Sequence, residues 1–162
     1  MKFVIVTGMS GAGKTTVLKF LEDIGFFCVD NLPPALITKF SQLCFEQDGS
    51  IDKVALGIDI RGGKLFGDLF EGLKELKSEG YDYEILYLDA SDSTLIKRYK
   101  ETRRSHPLSR GGSLETGIGK ERAMLADVRQ RATYIIDTSS ILTRQLKEQI
   151  NKIFKDNGAF DY

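Results

Sequence analysis

Hydrophobic positions along the chain fall into two alternating patterns. Short apolar runs, rich in β-branched and aromatic residues, predict strands buried in a sheet. These runs span residues 2–7, 26–29, 53–58, 84–88 and 134–136. Between them, apolar residues recur at helical spacing, as on one face of an amphipathic helix. Strands that alternate with helices predict an α/β fold, with a five-stranded parallel sheet in three layers and right-handed crossovers.

Polar residues and glycines predict where several helices begin. Ser91 or Asp92 is expected to cap the helix after the fourth strand. The next helix is predicted to run from Gly119 to Arg131. The stretch 137–140 is expected to cap the last helix, which would bury Leu142 on its apolar face. Most of the strands are thus followed by a polar turn at the same edge of the sheet.

The segment after the first strand fits the phosphate-binding loop pattern G-x-x-x-x-G-K-[ST]. It reads Gly8-Met9-Ser10-Gly11-Ala12-Gly13-Lys14-Thr15, and the first predicted helix follows it directly. Glycines let successive backbone N–H groups approach phosphates, which side chains at these positions would obstruct, and the helix N-terminus adds positive charge. Lys14 is expected to contact the β- and γ-phosphates and Thr15 to ligate Mg²⁺. The sequence therefore predicts a site for a nucleoside triphosphate with Mg²⁺.

Carboxylates follow the second and third predicted strands. In a doubly wound sheet, ligands bind beyond the carboxyl ends of the strands, so Asp30 and Asp59 are candidates for contact with the nucleotide. Asp59 is expected to bind Mg²⁺ directly or through water, with helix capping as the alternative. Asp30, followed by Asn31, is equally consistent with facing the phosphates, Mg²⁺ or an acceptor and with capping the next helix.

A basic segment follows the fourth strand. Its cations are Lys97, Arg98, Lys100, Arg103, Arg104 and Arg110. We interpret it as a lid in which Arg103 and Arg104 neutralise charge on the transferred phosphate, so that Lys14, Asp59, Arg103 and Arg104 are the expected catalytic residues. A patch that contacts RNA or protein, and a solvated surface, remain alternatives. The single histidine, His106, is expected to pack within this segment.

Composition narrows the class of protein. The 162 residues contain 23 basic and 23 acidic side chains, so the net charge offers no general attraction to nucleic acid or anionic lipid. No apolar run approaches the length of a membrane span or a signal peptide. Cys28 and Cys44 lack C-x-x-C spacing and are expected to be reduced thiols in a cytoplasmic protein.

Four motifs in a fixed order now carry a resemblance to a known family. They are the phosphate loop, Val29-Asp30-Asn31-Leu32-Pro33, Ile58-Asp59-Ile60-Arg61-Gly62 and Glu101-Thr102-Arg103-Arg104-Ser105-His106-Pro107-Leu108. With them, the chain resembles the N-terminal nucleotide-binding domain of the RapZ/YvcJ family. The resemblance implies a kinase-like P-loop NTPase fold that binds and hydrolyses ATP and GTP. It implies ATP contacts at Gly8 through Thr15 and GTP contacts at Asp59, Ile60, Arg61 and Gly62.

The resemblance also frames the expected biological role. We expect residues 1–162 to form one domain, with the C-terminal, RNA-associated domain of the family absent from this chain. The resemblance implies that the whole protein in Gram-negative members is an adaptor that delivers a small RNA to an endoribonuclease, while other members affect competence. An oligomer is compatible with the sequence. Two function classes stay open: a weak NTPase that serves as a regulatory module, and a kinase with an acceptor near Asp30 and the basic lid.

Overall fold

A computed structural model of the protein describes residues 2–9, 12–30, 32, 36–45, 53–58, 63–80, 82–102 and 114–154. The strands are β1 (Lys2–Gly8), β2 (Phe27–Val29), β3 (Lys53–Gly57), β4 (Asp82–Asp89) and β5 (Tyr134–Asp137). The helices are α1 (Lys14–Asp23), α2 (Ile37–Phe45), α3 (Gly63–Ser78), α4 (Asp92–Thr102), α5 (Leu114–Gln130) and α6 (Thr143–Phe154). Among the described helices, none has the length and apolarity needed to cross a membrane.

The five strands form one parallel sheet in the order β2-β3-β1-β4-β5, which confirms the predicted α/β fold. The central strand β1 is buried on both faces, since Phe3, Val4, Ile5 and Val6 are each 0% exposed. Each such apolar side chain contributes on the order of 1.5–3 kcal/mol by leaving water. Pairing with β3 and β4 on either side fixes the position at which β1 ends, and therefore the position of the loop that follows.

The observed start of α4 agrees with the start predicted from the sequence, and the observed start of α5 does not. The Ser91 hydroxyl accepts a hydrogen bond from the Thr94 N–H at 3.2 Å, so Ser91 caps α4 as expected. Helix α5 begins at Leu114, earlier than the predicted start at Gly119. Glycine inside a helix carries a cost of about 1 kcal/mol relative to alanine, and α5 contains Gly117 and Gly119. Burial of Ile118 in the core outweighs it, so tertiary packing extends the helix.

The predicted cap of the last helix is wrong. Helix α6 begins at Thr143, beyond the stretch 137–140, and the Leu142 N–H donates to the Gln145 side chain at 2.8 Å. Leu142 itself is exposed rather than buried. The Asp137 carboxylate instead accepts from the Ser139 N–H at 2.8 Å, which forms a tight turn at the end of β5. The polar residues after β5 therefore shape a loop at the carboxyl edge of the sheet.

Cys28 is a half-buried thiol, as expected for a reduced core cysteine. Its Sγ donates to the Leu18 carbonyl at 3.2 Å. Burial, followed by the nearby charge of Glu22, raises the pKa of the Cys28 thiol from 9.0 to about 11. With this pKa, the Cys28 thiol stays protonated at neutral pH. Because the thiolate is the reactive form, Cys28 is expected to be unreactive in the folded protein.

We expect Cys28 to react slowly with thiol reagents. In a Cys44→Ser variant, alkylation of Cys28 at pH 8 should be about 100-fold slower than in the same protein unfolded by denaturant, because a pKa higher by two units lowers the thiolate fraction by that factor. The rate should rise as the pH approaches 11. Equal rates in the folded and unfolded protein would contradict this protection.

Candidate functional site

The phosphate loop lies between β1 and α1, as its motif predicts. Gly8 is the last residue of β1, Gly13 is the N-cap of α1, and Lys14 is its first residue. The side chains of Met9 and Ala12 are buried beneath the loop, and the Ala12 N–H donates to the Met9 carbonyl at 3.0 Å. The loop is therefore anchored in the core on both sides of its central residues, Ser10 and Gly11, which lie outside the described part of the chain.

The neighbouring strand β4 requires glycine at position 8. Its φ is +143°, and a Cβ at this position would lie 2.1 Å from the Leu88 carbonyl oxygen on β4. The Met9 N–H donates to the same oxygen at 3.0 Å, which draws the two backbones together. The close contact of an added side chain at Gly8 is therefore with β4, and its expected obstruction of phosphates stays a prediction.

Gly13 has a different requirement. Its φ of +108° is in the left-handed region, and no described atom outside its neighbours lies within 4 Å of an added Cβ. Conformation alone therefore favours glycine at this position. As the N-cap, Gly13 offers no capping side chain, and the fully described first turn of α1 holds no acidic residue. The described first turn of α1 therefore carries no acidic side chain to offset the positive end of the helix, and such a charge favours anions.

Thr15, in the first turn of α1, lies beside Asp30, which directly follows β2. The Thr15 hydroxyl is 3.4 Å from a carboxylate oxygen of Asp30. Gly57, at the end of β3, makes room for this carboxylate, because a Cβ there would lie 2.9 Å from the other oxygen of Asp30. The alternative role of Asp30 or Asn31 as a helix cap involves residues 31 and 33–35, which lie outside the described part of the chain, so it stays a prediction. A hydroxyl beside a carboxylate matches the oxygen ligands that Mg²⁺ prefers.

The carbonyl of Ala12 is bound by a residue from the opposite end of the chain. The Thr138 hydroxyl, just after β5, donates to it at 2.8 Å. Arg98 on α4 in turn donates to the Thr138 hydroxyl at 3.1 Å and to its carbonyl at 2.6 Å. Sequence reasoning missed this contact, since it placed Arg98 in the lid and Thr138 in a helix cap. The one available signal was that both residues follow strands whose carboxyl ends share an edge with β1.

Asp89, at the end of β4, is occupied by arginines from α5. Arg122 donates to its carboxylate at 2.8 Å, and Arg129 lies 3.4 Å away. Arg122 also contacts Asp92, in the first turn of α4, at 2.6 Å. Through Arg122, the helices α4 and α5, which flank residues 103–113, are both linked to the end of β4. Removing one partner from a partly buried ion pair leaves an uncompensated charge. The cluster therefore stabilises the packing of α4 and α5 at the end of β4.

Comparison with known proteins identifies the family. The family model of the RapZ-like N-terminal domain matches residues 1–158. The chain belongs to this family. A nucleotide-binding protein of Clostridium botulinum (strain Hall) is 61% identical to the RapZ-like chain over 161 residues, which cover 99% of this chain and 55% of that protein. The RapZ-like chain therefore spans about half the length of the curated relatives it matches.

Solved structures agree on the fold of the RapZ-like chain. Shikimate kinase from Acinetobacter baumannii in complex with shikimate superposes with a TM-score of 0.63 at 19% identity, covering 93% of this chain and 91% of that one. The tunicamycin resistance protein of Deinococcus radiodurans gives a TM-score of 0.63 at 17% identity, with 94% of each chain covered. At such low identity these likenesses show the fold alone, and they confirm the kinase-like, three-layer P-loop NTPase fold.

Several predicted site residues of the RapZ-like chain lie outside the described residues. One group is the predicted GTP segment, and the other is the lid arginines with the histidine. The described residue before the GTP segment is Ile58, which is buried and whose N–H donates to the Val6 carbonyl at 3.0 Å. The residues concerned are Asp59, Ile60, Arg61, Gly62, Arg103, Arg104, His106 and Arg110. Their assigned roles stay predictions.

Proposed function

We propose that this domain binds ATP and GTP with Mg²⁺, hydrolyses both slowly, and serves as the regulatory module of a RapZ-like RNase adapter protein. The observation that carries the proposal is the geometry of the phosphate loop. Gly13 starts α1 in the left-handed conformation, Lys14 follows at the positive end of the helix, and Thr15 lies beside Asp30. These features supply N–H donors, a cation and oxygen ligands where a triphosphate would bind.

Each residue has a distinct role in the proposal. Lys14 neutralises charge on the β- and γ-phosphates, which backbone N–H groups alone do only in part. The Thr15 hydroxyl and the Asp59 carboxylate would hold Mg²⁺, with Asp30 orienting Thr15 through the contact at 3.4 Å. When bound, Mg²⁺ supplies charge stabilisation for phosphoryl transfer. Arg103 and Arg104 are proposed to neutralise the transferred phosphate, and residues 59–62 to contact GTP.

The regulatory role rests on family membership and on a sequence argument. Segment 31–36, after β2, is apolar and rich in proline, whereas a kinase for a charged metabolite requires several cations near its acceptor. Slow hydrolysis by such a domain would switch the affinity of the whole protein for an RNA or RNase partner. The proposal places the protein in the cytoplasm, where its thiols stay reduced.

Calorimetry and phosphate release test the proposal together. Titration with ATP, GTP and their non-hydrolysable analogues, with and without Mg²⁺, should show saturable binding that Mg²⁺ strengthens. Phosphate release should be well below the roughly 1–100 per second of kinases and should not need an added acceptor. A wild-type chain that binds none of these nucleotides would overturn the nucleotide-binding proposal itself.

The second candidate function is a small-molecule kinase. The kinase-like fold favours it, and so does the carboxylate of Asp30 next to Thr15, at a place where an acceptor hydroxyl could bind. Transfer of labelled γ-phosphate should be screened against pooled amino sugars, sugar phosphates and nucleoside monophosphates, alongside release of free phosphate. A labelled small-molecule product formed at about 1–100 per second would favour the kinase and reject the regulatory proposal.

The two strand-end carboxylates should differ in their effect on catalysis. We expect Asp59→Asn to lower Mg²⁺-dependent hydrolysis by about tenfold or more while leaving Mg²⁺-free nucleotide binding near wild type, because it removes a charged metal ligand and keeps its shape. Asp30→Asn is the matched control, with a smaller expected loss, since Asp30 contacts the Thr15 hydroxyl. Turnover measured against Mg²⁺ concentration separates the two. A larger loss in Asp30→Asn than in Asp59→Asn would show that the carboxylate that binds the metal is Asp30, after β2.

A further inference from the structure

We infer that Thr138, oriented by Arg98, is a positioning residue for the phosphate loop, which it acts on through the Ala12–Gly13 peptide. The inference rests on the proposed nucleotide site and assigns a role to a loop that the phosphate-loop motif does not include. Three elements that are far apart in the sequence meet at this point: the phosphate loop, α4 and the turn after β5.

The Thr138 side chain has a defined place in the core. It is buried, and its N–H donates to the Asp89 carbonyl at 2.8 Å, which extends the pairing of β5 with β4 beyond the last strand residue. Its hydroxyl lies 2.8 Å from the Ala12 carbonyl oxygen and 3.3 Å from that of Asp89. The backbone of Thr138 is thus fixed by β4 before its side chain contacts the phosphate loop.

Arg98 determines the direction of the hydroxyl proton. A guanidinium only donates, so the contact of Arg98 at 3.1 Å occupies a lone pair of the Thr138 oxygen. The single hydroxyl proton must then be donated to a carbonyl, and that of Ala12 is nearer than that of Asp89. A second bond from Arg98 to the Thr138 carbonyl, at 2.6 Å, keeps the guanidinium in place. A donor with full positive charge strengthens such a chain of hydrogen bonds.

The geometry of the peptide bond links this contact to phosphate binding. A peptide unit is planar and trans, so the Ala12 C=O and the Gly13 N–H point in opposite directions. With the carbonyl bound to the buried Thr138 hydroxyl, the Gly13 N–H points away from Thr138, at the residue that is the N-cap of α1. Gly13 lacks a Cβ and would otherwise rotate this peptide at little cost. Thr138 thereby keeps one N–H donor of the loop aligned for a phosphate oxygen.

Three variants of the full chain test the role of the hydroxyl. Thr138→Val keeps the shape and removes the hydroxyl, while Thr138→Ser keeps the hydroxyl and is the matched control. Arg98→Met removes the donor that orients it. The probes are ATP, GTP and inorganic tripolyphosphate, each titrated by calorimetry. Melting temperatures without ligand show whether each variant is folded under the conditions of the titration.

We expect Thr138→Val to bind all three probes about tenfold more weakly, as is typical when a buried carbonyl loses its partner and a donor is misaligned. Thr138→Ser should bind within about threefold of wild type, because it keeps the hydroxyl. If packing of the side chain were the cause instead, Thr138→Ser would be weakened and Thr138→Val would not. Arg98→Met should weaken binding about fivefold, and the double variant Arg98→Met with Thr138→Val should be no weaker than Thr138→Val alone, because both act through one contact.

Binding of tripolyphosphate distinguishes a role of Thr138 at the phosphate loop from a contact with the base. If Thr138→Val binds ATP and GTP more weakly but tripolyphosphate as well as wild type does, Thr138 contacts the base, and the inference is overturned. Wild-type affinity of Thr138→Val for all three probes would also overturn it, with the proposed nucleotide site intact. Should the wild-type chain bind none of the probes, the proposed function fails, and the inference fails with it. If Thr138→Val does not fold, Arg98→Met decides by the same comparison.

Discussion

Lys14→Ala is expected to lower the affinity for ATP and GTP, or the rate of their hydrolysis, by at least about tenfold. Lys14 is the first residue of α1, at the positive end of the helix and next to the left-handed Gly13. Its ammonium group would be the cation nearest the β- and γ-phosphates, whose charge the loop N–H groups neutralise only in part. Calorimetric titration and phosphate release measure the two effects separately.

The fold should survive this change, because Lys14 is not part of the apolar core. Lys19→Ala is the matched control, since Lys19 is an exposed lysine on the same helix and lies away from the loop. It should bind and hydrolyse nucleotide like wild type. If Lys14→Ala keeps wild-type binding and turnover with an unchanged circular dichroism spectrum, the loop is not the nucleotide site.

Gly8→Ala should be the most destabilising single substitution in the loop. An added Cβ would lie 2.1 Å from the Leu88 carbonyl oxygen and 2.7 Å from the Leu88 nitrogen, both of them backbone atoms of β4. Neither atom can move without breaking the pairing of β1 with β4. We expect the free energy of unfolding to fall by at least about 3 kcal/mol, from steric overlap and an unfavourable positive φ together.

Denaturant unfolding measures this loss, and a second glycine separates its two causes. Gly25 has a φ of +101°, and no described atom outside its neighbours lies within 4 Å of its added Cβ. Gly25→Ala therefore reports the cost of the backbone conformation alone, about 1–2 kcal/mol. Similar losses for the two variants would show that β4 yields to the Cβ, contrary to this expectation.

The strand order and the distant contacts could not be predicted from local sequence. The strand runs at 2–7 and 53–58 are continuous and apolar, so their burial was visible in the sequence. That β1 lies between β3 and β4, with Gly8 against Leu88, follows only from the assembled sheet. The start of α5 at Leu114 also depends on tertiary packing, since burial of Ile118 outweighs the cost of about 1 kcal/mol for each glycine in the helix.

By itself, the sequence determined the α/β class and the place of the loop motif, with Lys14 and Thr15, between the first strand and the first helix. Apolar periodicity and a contiguous motif are local properties. Tertiary structure alone decided that Asp30 contacts Thr15 and that Thr138 binds Ala12. These contacts join residues from different strand ends. Parallel pairing brings such ends to one edge of the sheet whatever their separation along the chain, so no local pattern records them.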